Sequence, residues 1–260
     1  MQLGLRSRTL KGLRRVSAFW SARSELDRIA ATHTGHLVNK WKHYFEIYDR
    51  HFSRFRNRDI ALLEVGVAGG GSLEIWRRYF GPKARIIGID INPACTRFEA
   101  PGTKIFIGNQ GERSFLEAVA SDAGPFDIVI DDGSHAYEHQ LQTMRTLFPH
   151  IREDGVYACE DLCTSYWKEE FGGGLRQPGT FVESLKEMID ELNAWFWREG
   201  VEADKGAFAN SVHGVHFYPA LVVIEKRAMH MPTHTPVGHT PDITLRITDP
   251  RNTKRLPWSN

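Results

Sequence analysis

Apolar and polar positions along the chain follow two rhythms. Between residues 25 and 57, Leu26, Ile29, Leu37, Trp41, Tyr44, Phe45, Tyr48 and Phe52 recur at roughly helical spacing, which predicts a helical segment with Tyr44 and Tyr48 on one face. From residue 60 the rhythm becomes short β-rich runs alternating with helical ones. Strands are predicted over 60–67, 84–91, 104–107, 126–130, 155–159 and 216–226, and helices over 73–79, 114–120, 137–148 and 181–197. The run Phe126, Ile128, Val129, Ile130 reads as a central strand covered on both faces. Alternation of β and α predicts an α/β fold, a mostly parallel sheet with helices on both faces. Pro219, inside the last strand, predicts an edge position or a bulge there. Three regions follow: an N-terminal basic and helical arm and cap (1–57), the α/β core (58–227), and a tail (228–260) with scattered proline and histidine.

Composition narrows the picture. A chain of 260 residues has room for one α/β domain with extra segments. Lys+Arg 33 against Asp+Glu 32 gives no whole-chain field that would draw it to nucleic acid. Basic residues do gather at Arg6, Arg8, Lys11, Arg14 and Arg15, interleaved with Leu10, Leu13, Val16, Phe19 and Trp20. That stretch is expected to be an amphipathic arm packing on the body or on a neighbouring subunit, which favours a homo-oligomer. It lacks the apolar core and cleavage site of a signal peptide, and no apolar run is long enough to predict a membrane span. Cys95, Cys159 and Cys163 are odd in number and scattered, as expected of a reduced, cytoplasmic protein. The tail, with His230, His234 and His239 among its prolines, is expected to be an extended surface segment.

Ligands of open parallel sheets bind beyond the carboxyl ends of the strands. Those ends carry Glu64, Asp90, Gln110, Asp131–Asp132 and Glu160–Asp161, with His135 three residues after Asp132. The first strand runs into Gly66-Val67-Ala68-Gly69-Gly70-Gly71, a loop whose backbone can approach a cofactor, with Ser72 placed to cap the next helix. Ala68 replaces the second glycine of a dinucleotide fingerprint. Glu64, just before the glycines, is unhelpful near a pyrophosphate and suits the cationic S-adenosylmethionine (AdoMet). Asp90 is placed to accept from ribose hydroxyls, and Gln110 to approach the adenine. Asp131 stays open between a helix cap and a cofactor neighbour. Three carboxylates at adjacent strand ends have the chemistry to hold Mg²⁺, which lowers the pKa of a coordinated hydroxyl. His135 is placed to take the proton. His135-Ala136-Tyr137-Glu138-His139 also matches an inverted zinc-peptidase pattern, which needs both histidines on one continuous helix. His135 follows a strand and a glycine turn too closely for that.

The stretches LLEVGVAGGGSLEIW, RIIGIDI, IFIGNQ, FDIVIDDGSH and YACEDLCTSYW stand in order. On them the chain resembles class I AdoMet-dependent methyltransferases with a Rossmann-like fold. More narrowly, over about residues 33–226, it resembles the metal-dependent sugar O-methyltransferases of macrolide biosynthesis, the mycinamicin and tylosin group. The resemblance implies a Mg²⁺ ion held by Asp132, Glu160 and Asp161, and His135 as general base. It implies AdoMet against Glu64, Gly66, Ala68, Gly69, Ser72, Asp90, Gln110 and Asp131. It places Lys40, His43 and Tyr44 near cofactor and substrate. Tyr137, Tyr166 and Trp167 are expected near the acceptor, the last two opening a loop with Gly172-Gly173-Gly174. Asn39, Asn109 and Cys163 depart from the family's more usual residues. The expected partner is a small hydroxylated acceptor, a sugar or glycosylated natural product. A cephalosporin-hydroxylase-like enzyme and a non-catalytic AdoMet-binding scaffold are the alternatives.

Overall fold

The computed structural model describes residues 22–197, 206–235 and 237–238. The basic stretch from Arg6 to Arg15 and most of the proline-containing tail lie outside the described residues.

Seven strands form one sheet: β1 (Ala61–Val65), β2 (Arg85–Asp90), β3 (Thr103–Ile107), β4 (Phe126–Asp131), β5 (Ile151–Cys159), β6 (Val212–Tyr218) and β7 (Leu221–Lys226). Their order is β3-β2-β1-β4-β5-β7-β6. The first five are parallel, and β7 pairs antiparallel with both β5 and β6. Helices fill the crossovers: α1 (Glu25–Ala31), α2 (Lys42–Phe52), α3 (Gly71–Phe80), α4 (Arg113–Ala123), α5 (Tyr137–Leu147), α6 (Lys168–Phe171), α7 (Phe181–Leu192) and α8 (Gly206–Ser211). This is the mostly parallel α/β sheet expected from the alternation, and the class I methyltransferase architecture that the resemblance implies.

Every residue of β1 is buried, as an apolar run at the centre of a doubly covered sheet requires. Side chains alternate between faces, so each strand feeds two cores. One holds Leu62, Ile86, Ile128 and Val156 with Tyr44, Tyr48 and Phe52 of α2 and Trp76 and Phe80 of α3. The other holds Leu63, Ile87, Val129 and Tyr157 with Leu116, Leu147 and Phe181. Residues 25–52 therefore have no core of their own; they are sewn onto one face of the sheet.

Four sequence expectations change. The helix expected over 25–57 is two helices with an irregular segment between. Thr32 ends α1 by bonding its hydroxyl to Arg28 O (2.9 Å), and Gly35 follows. The late strand over 216–226 is instead a hairpin, β6 and β7. Pro219 and Ala220 (φ 58°) make its two-residue turn, where a missing N–H costs nothing. The helix over 181–197 stops at Leu192, because the backbone and side-chain amides of Asn193 both turn back to Ile189 O. Ser72 is not the cap of α3. Gly70, at φ 76°, starts that helix, and the Ser72 hydroxyl donates instead to Glu64 Oε2 (2.6 Å). Among the described residues no helix is long and apolar enough to cross a membrane.

Candidate active site

At the carboxyl ends of β1 to β5 lies a pocket of about 520 Å³. Its walls are the glycine loop, the ends of β2 and β3 at Asp90 and Gln110, the turn from Asp132 to His135, Asp161, and the irregular segment from Leu37 to Lys40. Two locks hold the strand ends in place: Asp132 N donates to Val65 O and Glu160 N donates to Asp131 O, both 2.9 Å.

The glycine-loop wall is built from backbone. Gly66 sits at φ 95°, and a Cβ there would lie 2.0 Å from Asp132 O, so only glycine fits. A Cβ on Gly71 would meet His36 O at 2.3 Å, so the segment before Lys40 can lie directly on the loop. Asp90 Oδ2 accepts from the N–H groups of Val67 and Ala68, both at 2.9 Å, and Oδ1 accepts from Asn92 N. Asp90 thus shapes the loop and borders the pocket.

Three of the residues assigned to the cofactor stand otherwise than expected. Asp131 and Asp132 are neighbours on a strand end and point to opposite faces. Asp132 reaches the pocket. Asp131 is buried, 1% exposed, between Gln110 Nε2 (3.0 Å) and the Tyr157 hydroxyl (3.2 Å); burial pushes its carboxyl up to about 6 against those bonds. It caps no helix, since α5 starts at Ala136 with no side-chain cap. Gln110 borders the pocket, but both ends of its amide are committed: Nε2 to Asp131 and Thr143, Oε1 to Ser134 N (2.6 Å). It is a brace between strand ends. Glu64 is fully buried behind the pocket wall, between Ser72 and Lys40.

The acidic wall is built from side chains. Lys40 Nζ, itself buried, lies 2.6 Å from Asp132 Oδ2, 2.5 Å from Glu160 Oε1 and 3.2 Å from Glu64 Oε1. Burial alone would discharge the amine, but Asp132, Glu160 and Glu64 hold its pKa well above the ordinary value. Burial pushes Glu160 up to about 8 against the pull of Lys40, and raises Glu64 as well. Tyr44 and Tyr48 share a face of α2, as their spacing predicts, and end on the two adjacent acids. The Tyr44 hydroxyl lies 3.0 Å from Asp161 Oδ1, and the Tyr48 hydroxyl donates to Glu160 Oε1 at 2.6 Å. Trp41 Nε1 also donates to Asp161 Oδ1 (3.0 Å). Periodicity put Tyr48 on the right face but could not name its partner; nothing local in the sequence signals the Trp41 bond.

His135 Nε2 lies 3.6 Å from Asp161 Oδ2, and its buried Nδ1 has no hydrogen-bond partner. It stands at φ 58°, before the start of α5, while His139 bonds to Ser134 Oγ. The two histidines do not share a helix face, so the peptidase pattern is not formed. Ala68, His135 and Asp161 are all non-glycine residues with left-handed backbones on the pocket wall. Each such residue costs about 1–2 kcal/mol, a concentration typical of functional loops.

Whether these residues suit a divalent cation can be judged from charge and donors. Glu64, Asp132 and Glu160 converge on the Lys40 ammonium, and Asp161 is held beside them by Tyr44 and Trp41, so the carboxylates outnumber the lysine that pairs with them. Ligand atoms of Asp132, His135 and Asp161 lie within 4.8 Å of one another. Oxygen-rich donors with excess negative charge fit a hard ion such as Mg²⁺. The remaining expected residues lie further out. His43 Nε2 turns to Pro219 O (2.9 Å), away from the pocket. Tyr166 and Trp167 are each 47% exposed on the turn after Asp161, and the Tyr137 hydroxyl lies close to Gly172 of the following loop.

Residues 63–162 match the family model described as a methyltransferase domain. The tetracenomycin rhamnosyl 3'-O-methyltransferase of Streptomyces olivaceus is 39% identical over 221 residues, 81% of this chain and 56% of the relative. The demethylmacrocin O-methyltransferase of Streptomyces fradiae is 37% identical over 220 residues, 79% of this chain and 54% of the relative. The chain thus spans about half the length of the curated relatives it matches. Among solved structures, a methyltransferase of the mycinamycin biosynthetic pathway, in complex with Mg and SAH, superposes with a TM-score of 0.69 at 34% identity. That match covers 79% of this chain and 54% of the other. By sequence and by fold, the chain is a class I methyltransferase related to the sugar O-methyltransferases of glycosylated antibiotics.

Proposed function

We propose that this protein transfers the methyl group of AdoMet to a sugar hydroxyl of a glycosylated small molecule, with Mg²⁺ held by Asp132, Glu160 and Asp161. The observation that carries the reading is one continuous pocket bordered at one side by the glycine loop and Asp90 and at the other by Asp132, His135 and Asp161. The glycine loop and Asp90 bind the cofactor, with Gly66, Ala68 and Gly69 permitting close approach of backbone. Relatives that act on rhamnosyl and macrolide glycosides, one of them solved with Mg, SAH and mycinamycin VI, favour the same acceptor class.

Bound Mg²⁺ supplies a Lewis acid that orients the acceptor hydroxyl and lowers its pKa. The chain's own residues do the rest. His135, on the pocket wall, takes the hydroxyl proton as the oxygen attacks the methyl carbon and the sulfur leaves as a neutral thioether. Asp161, 3.6 Å from Nε2, orients the imidazole and stabilises the imidazolium that forms. Tyr44, Tyr48 and Trp41 fix the two acids against rotation. Glu160 Oε1 is taken by Lys40 and Tyr48, so Lys40 acts as an internal counter-ion for the acids that would hold the metal. Exposed Tyr166 and Trp167 offer flat faces to the apolar side of a sugar. The test is transfer of labelled methyl from AdoMet to a panel of rhamnosyl and deoxysugar glycosides. Label in the sugar is expected; label only in an aglycone or a protein would overturn the acceptor class.

A further inference from the structure

A second set of ligating side chains converges near the C-terminal end of α2, facing the hairpin of β6 and β7. Gly214, His216 and Tyr218 alternate along β6 and so share a face, and Glu225 joins them because it pairs directly with Gly214. That face meets His51, which follows Tyr44 and Tyr48 at helical spacing on α2. His51 Nδ1 lies 3.4 Å from Glu225 Oε1, and His216 Nε2 lies 3.6 Å from Glu225 Oε2. The two imidazole rings are 4.8 Å apart, and one ligand atom from each of the three residues fits within 4.8 Å of the others. Around a tetrahedral ion with bonds near 2.0–2.1 Å, ligand atoms are separated by about 3.4 Å.

We propose that His51, His216 and Glu225 form a metal site, separate from the methyl-transfer pocket, for a borderline divalent transition ion of the Zn²⁺ class. Three further observations support it. The Tyr218 hydroxyl lies 3.0 Å from His51 Nε2, an outer bond that fixes the ring with Nδ1 turned inward. His216 Nε2 is buried with no hydrogen-bond partner, although the rest of the ring is 40% exposed, which leaves a path for the ion and for water as fourth ligand. His51 is buried, 5% exposed, so its ring is held in place facing Glu225 and His216. Arg54, 4.0 Å from Glu225 and 40% exposed, stands at the rim, where its guanidinium also donates to Asp154 O (2.8 Å). Two nitrogens and one carboxylate select Zn²⁺ over Mg²⁺, the reverse of the oxygen-rich pocket. Occupied, the site would staple α2, the helix that carries Tyr44 and Tyr48 to the acids, to β6 and β7.

The experiment titrates Zn²⁺ into the chelator-stripped full chain under saturating Mg²⁺, read by a competing zinc indicator and by thermal melting. One Zn²⁺ per chain and a raised melting temperature are expected. Loss of a ligand should weaken the affinity about a hundred-fold or more in His216→Ala and in Glu225→Gln. Asp161→Asn should leave it within about two-fold, which separates this site from the pocket. Zinc binding that survives His216→Ala, or that disappears with Asp161→Asn, would overturn the proposal, as would no binding under Mg²⁺. A folded His216→Ala chain is checked by its unchanged melting temperature without zinc.

Discussion

The two walls of the pocket are built in opposite ways. The glycine-loop wall is local: Gly66, Ala68 and Asp90 come from two adjacent strand ends, and its bonds run from backbone N–H groups to one carboxylate. The acidic wall is assembled from afar. Lys40 lies 92 residues from Asp132 and 120 from Glu160, yet all three meet in a buried ion cluster. The first wall needs only the right strand order. The second needs residues 36–44 draped across the glycine loop and α2 docked on the sheet. A shape fixed by backbone suits a cofactor that is the same in every turnover. A charge cluster with more acids than cations suits an ion and an acceptor that must enter and leave.

That contrast is breakable from either side. Asp132→Asn removes a proposed metal ligand without touching the loop, so turnover should fall on the order of 10³-fold while AdoMet affinity stays within a few-fold. Rate assays beside calorimetry check this, and a parallel loss of AdoMet binding would reassign Asp132 to the cofactor. Lys40→Met strips the cation that pairs with three carboxylates in a buried cluster; breaking such a cluster costs about 3–5 kcal/mol. Chemical denaturation in chelator should show that loss, and added Mg²⁺ should restore part of it. If the variant is as stable as the parent, Lys40 is not the internal counter-ion. Asp90→Ala strikes the other wall. Losing hydrogen bonds to one carboxylate should weaken AdoMet about ten- to hundred-fold with little change in turnover at saturation.

How much of this was legible beforehand follows from the same contrast. The alternating strands and helices of a mostly parallel sheet, the glycine loop, Asp90 at the end of β2 and the paired acids at the ends of β4 and β5 are local patterns, and the sequence showed them. The roles of Glu64, Gln110 and Asp131 were harder. A strand-end residue can face cofactor or core, and only the register of β1, β4 and β5 decides; Asp131 faces Tyr157 and Gln110, while Asp132 faces the pocket. Leu37 and Val38 on the pocket wall were invisible, because helical spacing ran through them and hid the break after Ala31. The hairpin at Pro219 was misread for a related reason: two strands joined by a two-residue turn look like one apolar run.

The central claim is that one wall binds the cofactor and the other, with Mg²⁺, performs the transfer. The most direct measurement follows AdoMet binding and labelled methyl transfer to a glycoside in the same samples, first with chelator and then with Mg²⁺ restored. The account predicts AdoMet affinity nearly unchanged throughout, transfer abolished by chelator, and transfer regained with Mg²⁺. Transfer that continues undiminished in chelator would contradict it.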